Sequence, residues 1–152
     1  MDAPQRTAYV RQEAATESVV FRGHPMVRAL HPTTIEVTTE EYLTASGDCI
    51  IGVAAAKGCA QLADVLKAGL RGEGSRVVVK VVAGPEAFVL TAMGDPRLEL
   101  SHPHDIVVRR SRFLSDRTLA IGASAAARDI PRSLVARLKS PETVGRLEIE
   151  VG

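Results

Sequence analysis

Several residue types are scarce or absent in this chain of 152 residues, and each absence disfavours a class of protein. There is no tryptophan and no asparagine, and aromatic residues make up only 3% of the sequence. Proteins that bind single-stranded nucleic acid stack bases on aromatic rings, so this scarcity counts against an extended surface for RNA. The two cysteines are too few for a secreted disulfide scaffold, and too few for a zinc site made of cysteines alone.

Neither a long apolar run nor an excess of charge of one sign is present. The longest apolar run covers residues 49–56, whereas a membrane-spanning helix needs about 18 residues or more. The net charge is +1, which argues against attraction of the whole surface to nucleic acid or to an anionic membrane. Residues 1–6 lack the basic-then-apolar pattern of a secretory signal. We therefore expect a cytoplasmic protein with no membrane partner.

Length and composition indicate one globular domain. Apolar residues make up 45% and charged residues 24% of the chain, as in folded domains generally, and 152 residues are too few for two ordinary domains. Residues 1–16 are predicted to be a flexible or accessory N-terminal arm, and residues 17–152 a single β-rich domain. The absence of asparagine fits a thermophilic source, whereas the excess of arginine over lysine also fits a GC-rich genome.

Alternation of apolar and polar residues predicts that most of the domain is β-structure. In residues 33–38, Ile35 and Val37 are predicted to face the core and Glu36 the other face. The strands predicted in this way cover residues 17–22, 33–38, 49–54, 76–83, 87–92, 98–100, 105–109, 118–122 and 146–151. Glycine and proline turns separate them, so neighbouring strands are expected to pair as antiparallel hairpins.

Two helices are predicted beside these strands, over residues 58–70 and 130–139. Their apolar stripes are Leu62, Val65, Leu66 and Leu70 in the first helix and Leu134, Val135 and Leu138 in the second. Residues 39–43 are predicted to form one further helical turn capped by Thr39, and no internal repeat is evident. The predicted fold is α+β and mainly antiparallel β, a two-sheet, β-sandwich-like domain with about two helices packed on it.

Two histidines lie at predicted strand-to-loop junctions, where functional sites often occur. His24 follows the first strand, and His31 leads directly into Thr33, Thr34 and Glu36. This set of an imidazole, two hydroxyls and a carboxylate could bind a metal, transfer protons or form a structural network. The sequence leaves these alternatives open.

A divalent metal is the cofactor that these residues suggest. His24 and His31 with Asp48, which lies in a predicted turn, would make a ligand set of two histidines and one carboxylate. His102 and His104 are separated by a proline and lack a carboxylate at the spacing of a known metal site, so we expect them to be exposed loop residues.

Arginines and hydroxyl residues in the second half form the strongest electrostatic feature. Arg109, Ser111 and Arg117 suit a phosphate or carboxylate, because guanidinium groups grip oxyanions with two parallel hydrogen bonds. Arg109 and Arg110 would point to opposite faces of a strand, so only part of this cluster can serve one ligand. Ion pairs with nearby aspartates are the structural alternative. The predicted ligand-binding residues are His24, His31, Thr33, Thr34, Glu36, Asp48, Arg109, Ser111 and Arg117.

The two cysteines, Cys49 and Cys59, are expected to be buried free thiols. A disulfide between them is the alternative, since intracellular proteins of hyperthermophiles tolerate such bonds. Cys49 opens an apolar run, so we expect it to be buried and protonated rather than a nucleophile.

Several segments together resemble a known family. They are Gly23-His24-Pro25 and residues 31–38, 43–44, 47–53, 108–111 and 117–121. They are similar to an uncharacterised archaeal protein family catalogued as a domain of unknown function, over nearly the whole chain. The resemblance implies a β-sandwich-like fold of mainly antiparallel strands with a few helices. It implies no assigned activity, cofactor or catalytic residue.

Three kinds of function are consistent with these residues. The first is a binding module for an anionic partner, either a phosphorylated small molecule or RNA, held by the arginines and hydroxyls. The second is a metal-dependent hydrolase, in which a divalent ion on the histidines and a carboxylate activates water. The third is a subunit of a larger complex, including a homo-oligomer.

Overall fold

The computed structural model describes residues 15–43 and 47–152, which form eight strands and two short α-helices. The strands are β1 (Ala15–Arg22), β2 (Thr34–Thr38), β3 (Ile50–Gly52), β4 (Arg76–Ala83), β5 (Glu86–Met93), β6 (Asp105–Arg109), β7 (Thr118–Ala120) and β8 (Val144–Val151). The helices are α1 (Asp64–Leu70) and α2 (Arg132–Leu138), and short 3-10 turns precede them at Cys59–Gln61 and Ala127–Asp129.

The strands form two four-stranded sheets, in the orders β1-β8-β4-β5 and β3-β2-β6-β7. Pairing is antiparallel except for β2 with β3 and β6 with β7, which are parallel. Backbone bridges between Arg22 and Val53 and between Met93 and Ile121 join the two sheets at both edges. The predicted α+β, mainly antiparallel fold with two sheets and two helices is confirmed.

The described part of the chain consists of two structural repeats, so the expectation of no internal repeat is wrong. Each element from β1 to β4 has a counterpart of the same type and length between β5 and β8. Few identical residues mark the repeat in the sequence, but Gly23 corresponds to Gly94, and His31 to His102. The repeats share a burial pattern more than they share residue types.

The two repeats are interleaved rather than placed side by side. In the first sheet, β8 of the second repeat lies between β1 and β4 of the first. Glycines at the ends of β1 and β5 allow each repeat to approach the helix of the other. A β-carbon at Gly23 would lie 2.5 Å from the Leu138 carbonyl oxygen, and one at Gly94 would lie 2.0 Å from the Leu70 carbonyl oxygen. Neither distance leaves room for a side chain.

The helices cover the core, although α1 is shorter than the sequence predicts. The apolar face predicted for α2 is confirmed, because Leu134, Val135 and Leu138 are all buried. In the first repeat the 3-10 turn is followed by Leu62 in an extended conformation (φ −62°, ψ 149°), and α1 begins only at Asp64. This break changes the phase of the helix, so Val65 is 68% exposed instead of lying on the predicted stripe.

Other local predictions fail where tertiary contacts replace regular structure. Residues 39–43 contain no helical turn, and the Thr39 hydroxyl instead lies 2.6 Å from His104 Nδ1. Residues 98–100 form no strand, because Leu100 has a left-handed backbone (φ 52°) that a strand cannot continue through. Cys49 and Cys59 are free thiols and form no disulfide; Cys59 is buried as predicted, whereas Cys49 is only half-buried.

The predicted N-terminal arm falls mostly on residues 1–14, which lie outside the described residues, while Ala15 and Thr16 belong to β1. Among residues 15–43 and 47–152, no helix combines the length and apolarity that a membrane crossing requires.

Candidate functional site

Polar side chains line the face of the second sheet that points away from the core. The antiparallel register of β2 and β6 places Thr34 opposite Arg109, Glu36 opposite Val107 and Thr38 opposite Asp105. Residues that are paired in this way project from the same face. Thr34, Glu36 and Asp105 are each only 8% exposed, so both faces of this strand pair are covered. The alternation of residues in β2 predicted a strand with only one buried face. It could not show that the polar face is also covered, because the segments that cover it are distant in sequence.

A cleft of about 250 Å³ opens over the β2–β6 pair, and we call it the arginine cleft. Its lining residues are His31, Thr33, Thr34, Glu36, Cys49, Val107, Arg109, Ser111 and Arg117. Seven of the predicted ligand-binding residues therefore meet in one place, although they come from three separate stretches of the chain. His24 and Asp48 are outside this lining.

Arg109 is held in the cleft by hydroxyl groups. Its Nε donates to Thr118 Oγ1 (2.8 Å), its Nη2 donates to Ser115 Oγ (3.2 Å), and its guanidinium lies 5.0 Å from the centroid of the Phe113 ring. Burial, and then the neighbouring Arg117, lower the pKa of Arg109. No ion pair among the described residues includes Arg109. No carboxylate in that part of the chain forms a direct ion pair with Arg109. The positive charge of Arg109 therefore favours an anion beside it.

The second guanidinium of the cleft, Arg117, is paired with Asp105. Arg117 Nη1 donates to Asp105 Oδ2 at 2.8 Å, and this hydrogen bond raises the pKa of Arg117. Burial alone would raise the pKa of Asp105, but hydrogen bonds with Arg117, Thr38 and Glu36 outweigh it and hold this pKa below its usual value. Asp105 is consequently the ionised member of the cluster.

Glu36 lies between Arg109 and Asp105 in the register of β2 and β6, and its pKa is shifted in the opposite direction to that of Asp105. Burial, followed by the charge of Asp105, raises the pKa of Glu36 to about 7, and the thiol of Cys49 and the charge of Arg117 offset only part of this rise. Cys49 Sγ donates to Glu36 Oε1 at 3.4 Å. Burial and the neighbouring Glu36 raise the pKa of Cys49 to about 11, so the thiol is protonated at neutral pH and is a poor nucleophile.

His31 closes the turn that leads into β2. Its Nδ1 accepts the backbone N–H groups of Thr33 (3.1 Å) and Thr34 (3.2 Å), which assigns the ring proton of the neutral imidazole to Nε2. His102 repeats this geometry before β6, with Nδ1 accepting the N–H groups of His104 and Asp105. The two histidines therefore have the same turn-forming role in the two repeats. His102 and His104 lie in a loop as predicted, but only His104 is exposed, since His102 is half-buried.

The predicted metal-binding residues form no site that could hold a metal, although the backbone N–H of His31 donates to the Asp48 carbonyl oxygen (3.3 Å). In residues 15–43 and 47–152, no group of three or more His, Cys, Asp or Glu side chains is arranged to hold a metal ion. His24 Nδ1 accepts the Met26 N–H (3.0 Å), and Asp48 Oδ1 lies 3.6 Å from Arg28 Nε. His31 Nδ1 is already occupied by its turn. His24, His31 and Asp48 thus form no ligand set in the described structure.

A second cleft of about 440 Å³ lies on the other side of Glu36 and shares Glu36, Cys49 and Arg117 with the arginine cleft. The internal repeat relates the two clefts, because Asp105 corresponds to Thr34 and Thr38 to Arg109. In the lining of the arginine cleft arginines outnumber carboxylates, whereas in the second cleft carboxylates outnumber arginines. The alternation of polar residues in β2 and β6 is the sequence signal that could have added Thr38 and Asp105 to the predicted site.

A further cleft of about 420 Å³ lies over the first sheet and shares no lining residue with the other two clefts. Its charged lining residues are Glu17, Lys80, Glu148 and Glu150, and short polar and apolar side chains make up the rest. Lys80 lies opposite Glu148 in the β4–β8 register, so the charges are mixed and no guanidinium lines this surface. We assign the candidate site to the arginine cleft for this reason.

Comparison with known proteins places the chain in a family. A family model described as a domain of unknown function (DUF371) matches residues 19–152. The chain belongs to this family. It is also 38% identical over 118 residues to the uncharacterized protein MJ0206 of Methanocaldococcus jannaschii, an alignment that covers 78% of this chain and 87% of that protein. The resemblance to an uncharacterised archaeal family is confirmed, and neither description names a ligand.

Proposed function

We propose that the protein is a binding module for a small anion, namely a phosphorylated small molecule or a related oxyanion, and that the arginine cleft is its site. The observation that carries this proposal is the convergence of Arg109 and Arg117 in a cleft of about 250 Å³. Hydroxyls of Thr33, Thr34 and Ser111 line the same space and supply further hydrogen-bond donors. Guanidinium forks and hydroxyls together match the oxygens of a phosphate group.

The size of the cleft favours a small molecule over RNA. A volume of about 250 Å³ is slightly below the usual range of about 300–1,000 Å³ for small-molecule pockets, so it suits a very small anion and leaves no room for a chain of nucleotides. Phe113 is 61% exposed, but one ring under Arg109 is no platform for several stacked bases. RNA would have to bind across the surface, and its affinity would then fall steeply with salt.

Substitution of Arg109 provides the test. Arg109→Gln removes the charge that has no carboxylate partner among the described residues but keeps a hydrogen-bonding side chain. A charge-assisted hydrogen bond contributes about 1.5–3 kcal/mol, so we expect the Kd for a phosphorylated small molecule to rise by about 10- to 100-fold. Isothermal titration calorimetry with inorganic phosphate and a set of phosphate monoesters measures this change directly.

The matched control is Arg110→Gln. Arg110 is adjacent in sequence but lies outside the cleft lining, and its Nη1 is 4.0 Å from Asp129 Oδ2. We expect its Kd to equal that of the unmodified protein. Equal losses in the two variants would contradict the proposed site, and a steep dependence of affinity on salt with short RNA would replace the small ligand by nucleic acid.

The compartment belongs to the same proposal. We place the protein in the cytoplasm, because Cys49 and Cys59 are both free thiols and a reducing compartment keeps thiols in that state.

A further inference from the structure

Glu36 is the acidic side chain that lines the arginine cleft, and it is poorly placed to carry a charge there. The side chain sits at the centre of the β2–β6 pair and is 8% exposed. Asp105 of β6 faces it from one side and shares a hydrogen bond with it, while Cys49 donates to its Oε1. An ionised Glu36 would therefore face another carboxylate and the bound anion at once.

We propose that the arginine cleft is a proton-coupled anion site, in which binding of an oxyanion is accompanied by uptake of one proton at Glu36. This inference rests on the proposed function and specifies how the same cleft is regulated. An anion at Arg109 and Arg117 repels an ionised Glu36 but leaves the neutral acid unaffected. Because the ligand favours the protonated form, protonation must favour the ligand to the same extent.

The groups that surround Glu36 explain why the proton goes to this residue. Asp105 is held in the ionised state by Arg117, so it does not compete for the proton. Cys49 is protonated already and donates its hydrogen to Glu36. Arg109 and Arg117 keep their charges throughout the accessible pH range.

His31 also lines the cleft, beside Cys49 and the two arginines. Its Nδ1 accepts two backbone N–H groups, and protonation of that nitrogen would break the turn before β2. The Glu36→Gln variant distinguishes proton uptake at Glu36 from uptake at any other group of the lining.

The direction of the pH effect follows from the pKa of Glu36, which is raised to about 7. Below this pH the acid is already neutral in the free protein, so affinity is nearly independent of pH. Above it the proton must be acquired on binding, and the affinity should fall by up to about tenfold for each pH unit. Sulfate is a suitable probe because its own charge does not change near neutral pH.

The experiment measures sulfate binding by isothermal titration calorimetry at about pH 8, in two buffers with different enthalpies of ionisation. The difference between the observed enthalpies gives the number of protons taken up. We expect a value approaching one for the unmodified protein and near zero for Glu36→Gln, which keeps the shape of the side chain but cannot titrate. Glu41→Gln, an exposed glutamate outside the lining of the cleft, serves as the matched control and should behave like the unmodified protein.

Each outcome has a separate meaning. Sulfate binding without proton uptake would overturn this inference and leave the proposed function intact, and so would uptake that persists in folded Glu36→Gln. Absence of sulfate and phosphate binding between about pH 6 and 9 would overturn the proposed function and this inference with it. If Glu36→Gln does not fold, the carboxyl ¹³C shift of Glu36, followed by NMR through a pH titration with and without sulfate, assigns the proton instead.

Discussion

At the scale of single residues, Glu36 and Asp105 show how one cluster separates two carboxyl groups. They lie on adjacent strands, on the same face and two pairs apart in the register of β2 and β6. Both are 8% exposed, but Asp105 accepts a hydrogen bond from a guanidinium, whereas Glu36 accepts one from a thiol. The pKa values are consequently pushed in opposite directions, which is how proteins assign different protonation states to neighbouring acids.

This separation predicts a pH-dependent effect of Glu36→Gln on stability. The pKa of Glu36 rises from 4.5 to about 7 on folding, so the folded state binds the proton more tightly than the unfolded state. The contribution of Glu36 is therefore fully present below about pH 4.5 and is lost as the pH rises through about 7, a loss of about 3 kcal/mol in the free energy of unfolding. Glutamine does not ionise and suffers no such loss.

Denaturant unfolding at about pH 5 and pH 8 measures the effect. We expect the stability of Glu36→Gln relative to the unmodified protein to increase by up to about 3 kcal/mol between these two values. The pKa of Asp105 is held below its usual value, so Asp105 stays ionised at both of these pH values. A difference between the two proteins that does not change with pH would contradict the raised pKa. Glu41→Gln should show no pH-dependent difference.

At the scale of elements, the phase of α1 separates two apolar residues that the sequence placed on one stripe. Leu66 is fully buried, whereas its neighbour Val65 is 68% exposed. Leu66→Ala should lower the free energy of unfolding by about 2–5 kcal/mol, because it leaves a cavity under the helix. Val65→Ala should change it by less than about 0.5 kcal/mol, because it removes only exposed surface.

The comparison of these two variants by urea denaturation uses positions in the same helical turn, so each is the control of the other. Similar losses in both would mean that Val65 packs in the core and that α1 begins earlier than Asp64. This would restore the helix over residues 58–70 that periodicity alone predicts.

Elements with strong local signals could be predicted from the sequence. The β4–β5 hairpin alternates cleanly and turns at Gly84 and Pro85, and the predicted bounds of residues 76–83 match β4. The 3-10 turns before both helices could not be predicted, because a segment of three residues is too short to show the period of a helix. The side chains of residues 98–100 are apolar enough for a strand, but the left-handed Leu100 is set by packing.

At the scale of the whole molecule, the pairing of strands ties the two repeats into one cooperative unit. The ladders of β1 with β8, β8 with β4, β4 with β5 and β2 with β6 all join one repeat to the other. Among the described residues, the pairing within a repeat is limited to the short parallel pairs and single bridges. A separated repeat would leave most of its strand hydrogen bonds unmade.

We therefore predict a single unfolding transition for the described domain. In calorimetry the measured enthalpy should equal the van't Hoff enthalpy, and circular dichroism and intrinsic tyrosine fluorescence should give the same midpoint. Two resolved transitions would contradict the interleaved arrangement, since they would require repeats that unfold independently. Leu66→Ala should shift this one transition as a whole rather than split it, which tests the same point in a destabilised background.

The sequence by itself determined the fold class, most strands and the inventory of the site, because these depend on local alternation, on turn residues and on which side chains are present. It included His31, Glu36, Arg109 and Arg117 among the candidates. Only the tertiary structure decided which candidates meet. The β2–β6 pairing brings Glu36 beside Arg109 from the other repeat, whereas His24 and Asp48 are left outside the cleft. The raised pKa of Glu36 also depends on burial by segments distant in sequence, and no local pattern encodes that burial.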